Sequence, residues 1–272
     1  MTELPIFEPV FAGYIDLRGH QTWSKEWVNN GEPALLLHGG LSATEDWDSH
    51  ILPSVASDHH VFAYDRTAHG RTGVREGFYH FDFQRDEAIA YIEDVIKGPA
   101  HLLGYSDGGI ISLLVAIARP DLVKSLVLIG TNYNYDCGLP FNQITELTAS
   151  EGDRAEFAER SPDPAHVQDE ILARALQVWR SEPTMTKGDL NTIECPVLVL
   201  TGDDEPFSNH HTVDLYEALP NGRLAMIPGA SHYAIKDQTD IATILIKDFF
   251  AHPEFPLTRD PNLRTRPVTE RS

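Results

Sequence analysis

The sequence predicts an α/β protein: a mostly parallel sheet with helices on both faces and a small helical cap. Three observations carry that expectation. Short, almost wholly apolar runs recur along the chain, helical patterns separate them, and a long stretch after the fourth run holds no strand candidate. Alternating strand and helix signals mark parallel βαβ units. Strands covered on both faces read as continuous apolar runs.

The first element departs from that pattern. In "AGYIDLRGHQTWSKEW" (12–27) apolar and polar residues alternate about a Gly19-His20 turn, which predicts an antiparallel hairpin at the sheet edge. The apolar runs are Ala34 to His38, Val61 to Asp65, His101 to Tyr105, Leu126 to Gly130, Val197 to Leu200 and Leu224 to Ile227. Between them, Phe81 to Ile96 carries Ala88, Ile89, Tyr91, Ile92, Val95 and Ile96 on one side at helical spacing. Asp240 to Phe250 repeats the pattern with Ile241, Ile244, Leu245 and Phe249, only Asp248 breaking the apolar face. From Tyr133 to Lys187 two helical stretches flank "SPDPAH"; the second, Val167 to Trp179, aligns Ile171, Leu172, Ala175, Leu176 and Trp179. The chain thus divides into a core (1–132 and 188–251), a helical insertion (133–187) and a Pro- and Arg-rich tail (252–272). The insertion is a lid over the sheet's edge or two ordinary peripheral helices. The tail packs along the acidic body or on a neighbouring subunit of a homo-oligomer.

Composition narrows the function classes. With 42% hydrophobic and 23% charged residues the chain is an ordinary globular protein. A net charge of −20 argues against nucleic acid, which needs clustered Lys and Arg. Cys137 and Cys195 stand far apart, which is neither a disulfide framework nor a zinc pattern and suits a reducing cytoplasm. The start, "MTELPIFEPVFAGY", has no basic cluster and no long apolar stretch, so no targeting peptide or membrane span is expected.

The chemistry is concentrated in "HLLGYSDGGIISLL" (101–114), where a strand run ends in Gly-Tyr-Ser-Asp-Gly-Gly and a helical run starts at once. Gly104-Tyr105-Ser106-Asp107-Gly108 fits G-x-S-x-G, the turn of a nucleophile elbow. A strand that turns directly into a helix strains its pivot residue and brings the residues two before and two after it together, so both must be small. A plain serine N-cap would not require glycine on both sides. The serine needs a base, and the base an orienting group. Of thirteen histidines, His232 in "IPGASHY" follows the last strand run and precedes the last helix, which puts it at the same sheet edge as the elbow. His59-His60 and His210-His211 resemble metal pairs, but adjacent side chains in a strand point to opposite faces and no third ligand is near. The acid should follow the intervening strand, in "TGDDEPF", where Asp203, Asp204 and Glu205 compete. Asp203, directly after the glycine, is expected to hydrogen-bond within its own turn.

Taken together these segments resemble the α/β-hydrolase fold family over about residues 10–250. "HGG" at 38–40 is similar to the family's oxyanion loop. "YDRTAHGRT" (64–72) is similar to its D-x-x-G-x-G-x-S turn, with Ala68 and Thr72 as departures. "GYSDGG" resembles the elbow of valacyclovir hydrolase-like serine esterases. "TGDDEPF" resembles the acid loop, including that of acyl-homoserine-lactone lactonases of this fold. The resemblance places the acid at Glu205, with Asp204 as runner-up. It implies an oxyanion hole built from the backbone N–H groups of Asp107 and Gly40, with Leu41 as the alternative to Gly40. It also implies a serine hydrolase of small carboxylic esters or lactones that needs no metal or organic cofactor. Leu41, Tyr105, Tyr133, Phe141, Trp179 and Phe207 are the expected lining residues. Asp107 would suit a cationic acyl group, although acidic side chains favour a first helical turn in any case. Two rivals remain: carbon–carbon bond hydrolysis or perhydrolysis on the same triad, and a ligand receptor that kept the frame.

Overall fold

A computed structural model describes residues 7–46, 48–138 and 143–253. Strands β1 (Phe11–Leu17), β2 (His20–Trp27), β3 (Glu32–Leu37), β4 (His59–Tyr64), β5 (Ala100–Tyr105), β6 (Val123–Ile129), β7 (Val197–Asp204) and β8 (Gly222–Ser231) form one sheet in the order β1-β2-β4-β3-β5-β6-β7-β8. Pairing from β4 to β8 is parallel throughout, and β1 and β2 add the antiparallel edge hairpin. The hairpin turn is Arg18-Gly19, one residue earlier than expected. Both have positive φ (53° and 88°), as a two-residue turn of this hand requires, and His20 already pairs with Leu17.

Alternate strand residues enter two separate cores, which is why the runs are apolar without a break. Leu35, Leu37, Leu102, Leu126 and Leu128 face one side; Ala34, Leu36, Leu103, Val127 and Ile129 face the other. The first side is covered by α2 (Phe81–Tyr91), α3 (Asp107–Ala118) and α7 (Asn209–Ala218). The second is covered by α1 (Asp48–Val55), α8 (Ala234–Asp237) and α9 (Thr239–Ala251). The stretch predicted as Phe81 to Ile96 is continuous, but after Tyr91 it widens into a π-turn over Ile92–Ile96. In α9 the expected face holds for Leu245 and Phe249 but not for the two isoleucines. Ala242, Ile246 and Phe249 are buried, whereas Ile241 and Ile244 are 41% and 66% exposed. The small Ala242 lets the helix settle against α1, and that rotation turns the two isoleucines outward.

Between β6 and β7 the chain forms α4 (Glu151–Arg160), α5 (Val167–Trp179) and the single turn α6 (Lys187–Leu190). The ends of this excursion are tied together, because Asn134 bridges Thr184 and Tyr135 N–H donates to the Pro183 carbonyl at 2.8 Å. Helix α5 buries Ile171, Leu172, Ala175 and Leu176, as its periodicity predicts. Most of the tail, 252–272, lies outside the described residues. No helix among the described residues is long and apolar enough to cross a membrane.

The strand-to-helix crossing from β5 to α3 is the tightest point of the sheet edge. A Cβ on Gly104 would sit 2.2 Å from the Gly108 carbonyl oxygen. Gly104→Ala should therefore cost about 3 kcal/mol or more in denaturant unfolding. Gly98→Ala, where a Cβ meets nothing within 4 Å, should change stability by less than about 0.5 kcal/mol.

Candidate active site

Because β3 and β5 to β8 run parallel, the loops after β3, β5, β7 and β8 open on one edge. Ser106 lies at the end of β5 with φ 53° and ψ −116°, a conformation held by its N–H to the Ile129 carbonyl (2.8 Å) and by α3, whose Gly109 N–H returns to the Ser106 carbonyl (2.9 Å). His232, just past β8, places Nε2 3.1 Å from Ser106 Oγ. Its Nδ1 lies 2.5 Å from Glu205 Oε2, and the Glu205 side chain is fully buried. An Nδ1–H donated to Glu205 leaves Nε2 to accept the Ser106 hydroxyl proton. The other oxygen of Glu205 accepts from Thr201 Oγ1 (2.8 Å) and Gly202 N–H (3.2 Å), so the carboxylate is fixed from both sides.

The competing acids stand elsewhere. Asp204 is exposed at the end of β7 and pairs with Ser231 in the strand ladder. Asp203 accepts from Gly229 N–H at 2.8 Å, across to β8 rather than within its own turn, because β7 runs on through the predicted turn. His210 and His211 lie in helix α7, not in a strand, and His211 accepts the Tyr133 N–H at 3.1 Å. Among the described residues no group of His, Cys, Asp or Glu is arranged to hold a metal.

Gly40 and Asp107 line the same cavity as Ser106 and His232. Asp107 opens α3, so its N–H has no intrahelical acceptor. The loop carrying Gly40 is braced from beneath. His38 Nε2 accepts the Arg66 N–H (3.1 Å), so Nδ1 carries the hydrogen and donates to the Gly39 carbonyl (2.8 Å). The buried Arg66 guanidinium donates to the His38 and Gly39 carbonyls at 2.9 and 2.7 Å. Burial and the Arg66 charge push the His38 pKa far down, so the ring stays neutral. Asp107 is only 3% exposed; both its oxygens accept from Trp179 Nε1 at 3.1 Å, so it is neither solvated nor paired within its own turn. Burial pushes its carboxyl upward, opposed by the Arg66 charge. Gly40 packs into this corner so closely that a Cβ there would lie 2.4 Å from Asp107 Oδ2 and 2.5 Å from the Trp179 ring.

The cavity has a volume of about 530 Å³. Of the expected lining residues, Leu41, Tyr105, Trp179 and Phe207 border it. Tyr133 does not: it is buried and stacked on His211 with ring centroids 4.1 Å apart. Phe141 lies outside the described residues. Ile110, Asn132, Glu182, Tyr233 and Lys236 also line the cavity and carried no sequence signal for doing so. Arg66 stood in the quoted "YDRTAHGRT" segment, but nothing in that segment shows its reach to His38 and Gly39.

A sequence model of the Alpha/beta hydrolase family matches residues 34–243. The (E)-2-((N-methylformamido)methylene)succinate hydrolase of Acinetobacter baylyi is 26% identical over 222 residues, 74% of this chain and 84% of that protein. A non-heme haloperoxidase of Rhodococcus erythropolis is 26% identical over 252 residues, 79% and 90% of the two chains. Among solved structures, a meta-cleavage product hydrolase from Pseudomonas fluorescens superposes with TM-score 0.73 at 21% identity, covering 89% of this chain and 98% of that one.

The neutral His38 has a consequence for acid stability. Its pKa is depressed in the fold, so unfolding binds a proton once pH falls below about 6.5, and stability is lost as pH drops further. Between pH ~6.5 and ~5, the unfolding free energy of His38→Gln should fall less steeply than that of the parent, by about 1.4 kcal/mol per pH unit. Parallel slopes in urea titrations across that range would contradict a folded His38 that stays neutral.

Proposed function

Because the chain belongs to the Alpha/beta hydrolase family, we propose that it is a serine hydrolase cleaving small carboxylic esters or lactones through an acyl-enzyme. The observation that carries this is the unbroken line Ser106 Oγ, His232 Nε2, His232 Nδ1, Glu205 Oε2, with contacts of 3.1 and 2.5 Å. Ser106 Oγ attacks the substrate carbonyl while His232 takes its proton, and Glu205 steadies the imidazolium that forms. The N–H groups of Asp107 and Gly40 receive the charge that develops on the carbonyl oxygen, in a corner Trp179 helps to keep dry. On collapse the His232 proton passes to the departing oxygen. Water, activated by the same imidazole, then releases the acyl group and restores Ser106.

A second chemistry on the same triad is supported by what similar proteins are named for. The matches include a non-heme haloperoxidase and a meta-cleavage product hydrolase. β-Diketones and peroxide in the substrate panel separate those reactions from ester cleavage. A receptor that kept the frame would not need the nucleophile, base and acid in contact. A cysteine count of two, Cys137 and Cys195 far apart in sequence, fits the reducing cytoplasm proposed for it.

Turnover of a nitrophenyl ester should fall by roughly 10⁴-fold or more in Ser106→Ala. A serine-directed phosphonate should label the parent on Ser106, located by mass spectrometry. Labelling elsewhere, or equal turnover in the variant, sinks the assignment. Glu205→Gln should lower kcat by about 10³-fold or more, whereas Asp204→Asn should leave it within about twofold. With its carboxylate held by the Trp179 indole, Asp107 should not select a cationic acyl group. An aminoacyl ester and the plain acyl ester of the same alcohol should therefore react at similar rates; a preference of about tenfold that disappears in Asp107→Asn would reverse this.

A further inference from the structure

We propose that the buried cation Arg66 acts on the reaction as a positioning residue, aiming and polarising the peptide between Gly39 and Gly40. This rests on the hydrolase assignment above. What it adds is a source of oxyanion stabilisation outside the triad and the two N–H donors.

Arg66 is fully buried, yet it takes part in no ion pair among the described residues. Glu87, which accepts from the adjacent Thr67 N–H, pairs with Arg75 at 3.3 Å instead. A cation stripped of water without a counter-charge is costly, so its contacts should show what it serves. Nη1 donates to Gln84 Oε1, and Nε finds no acceptor. Nη2 donates to the His38 and Gly39 carbonyls at 2.9 and 2.7 Å. The Gly39 carbonyl also accepts His38 Nδ1–H at 2.8 Å, so two donors converge on one peptide.

That peptide is trans, so its N–H, on Gly40, points opposite to its carbonyl. The carbonyl faces Arg66 in the core. The N–H is thereby turned to the side where Gly40 borders the catalytic cavity. Arg66 holds the carbonyls of His38 and Gly39 and not that of Gly40, which selects the Gly40 N–H over that of Leu41. Electron density drawn toward the cation makes this N–H a stronger donor. The charge also stands behind the donor, where it favours negative charge in front, and the core between them screens it little. A brace would need the hydrogen bonds alone; the uncompensated charge is what points to the reaction.

Gln84→Glu separates the two roles. Gln84 Oε1 already accepts from Arg66 Nη1, so a carboxylate there keeps that bond and the shape while supplying a counter-charge. On nitrophenyl acetate at pH 8, kcat should fall about fivefold or more with KM within about threefold. Arg66→Met, which removes bonds and charge together, should lose about 30-fold or more, and Arg66→Lys should recover about threefold or more of that. A trifluoromethyl ketone reads the oxyanion alone. Ser106 Oγ bonds to its carbonyl carbon, the hydroxyl proton passes to His232, and the carbonyl π pair becomes the oxyanion. Its inhibition constant should weaken in each variant by about the factor lost in kcat/KM. Unchanged kcat and ketone affinity in Gln84→Glu, or a rise in KM alone, overturns the proposal and leaves the triad standing. Arg66→Lys no better than Arg66→Met does the same, and should Arg66→Met not fold, Gln84→Glu decides alone. If the parent neither turns over the ester nor binds the ketone on Ser106, the hydrolase assignment falls and takes this role of Arg66 with it.

Discussion

The constraint on which the site depends is the absence of a loop between β5 and α3. The chain turns from strand to helix within one residue, so Ser106 takes a backbone conformation with φ 53° that an unconstrained serine would leave. That strain is held by the contact of Gly104 with Gly108, by the Ser106 N–H on Ile129 and by the hydrogen bonds of the first turn of α3. In return the hydroxyl stands clear of the sheet, and the N–H of Asp107 is left unpaired by the helix beside it. The proposed nucleophile and the proposed oxyanion donor are thus two products of one local distortion. Relaxing the crossing would displace both together.

Parallel strands then do for His232 and Glu205 what the elbow does for Ser106. Strands β7 and β8 end at the same sheet edge as β5, so short loops suffice to bring residues 126 and 27 positions apart into contact. The longer glutamate side chain reaches Nδ1 while its other oxygen stays tied to Thr201 and Gly202, at the base of its own loop. Because both oxygens are engaged, rotation of the carboxylate would break two further hydrogen bonds, and this fixes the orientation of the imidazole.

What was legible in the sequence follows from the range of the interactions concerned. The elbow glycines, the acid loop and the apolar runs are local patterns, each imposed by a turn or a strand on its own neighbours, so they can be read in a few residues. The rotation of α9 was not legible, because Ile241, Ile244 and Ala242 all fit an amphipathic helix and packing on α1 selects among them. Tyr133 was misplaced for a similar reason: its partner His211 lies in α7, 78 residues on, and stacking there takes the ring out of the cavity. The shift of the hairpin turn by one residue arose because both Gly19 and Arg18 adopt the left-handed region, and only glycine advertises it.

Arg66 and Trp179 show the same limit with more at stake. Arg66 is fully buried and holds the carbonyls of His38 and Gly39 from one side. Trp179 arrives from α5 on the other side, donates to Asp107 and lies against Gly40. Of the two proposed oxyanion donors, Gly40 therefore sits between the Arg66-held Gly39 carbonyl and Trp179, and Asp107 is held by Trp179. Gly40 has no room for a side chain because that clamp closes over it. Movement of α5 would act on Asp107 directly, and through it on the N–H one residue from the nucleophile. The excursion is thus mechanically coupled to the proposed reaction centre, and its position bears on the geometry of Gly40 and Asp107 as much as on which molecules can enter.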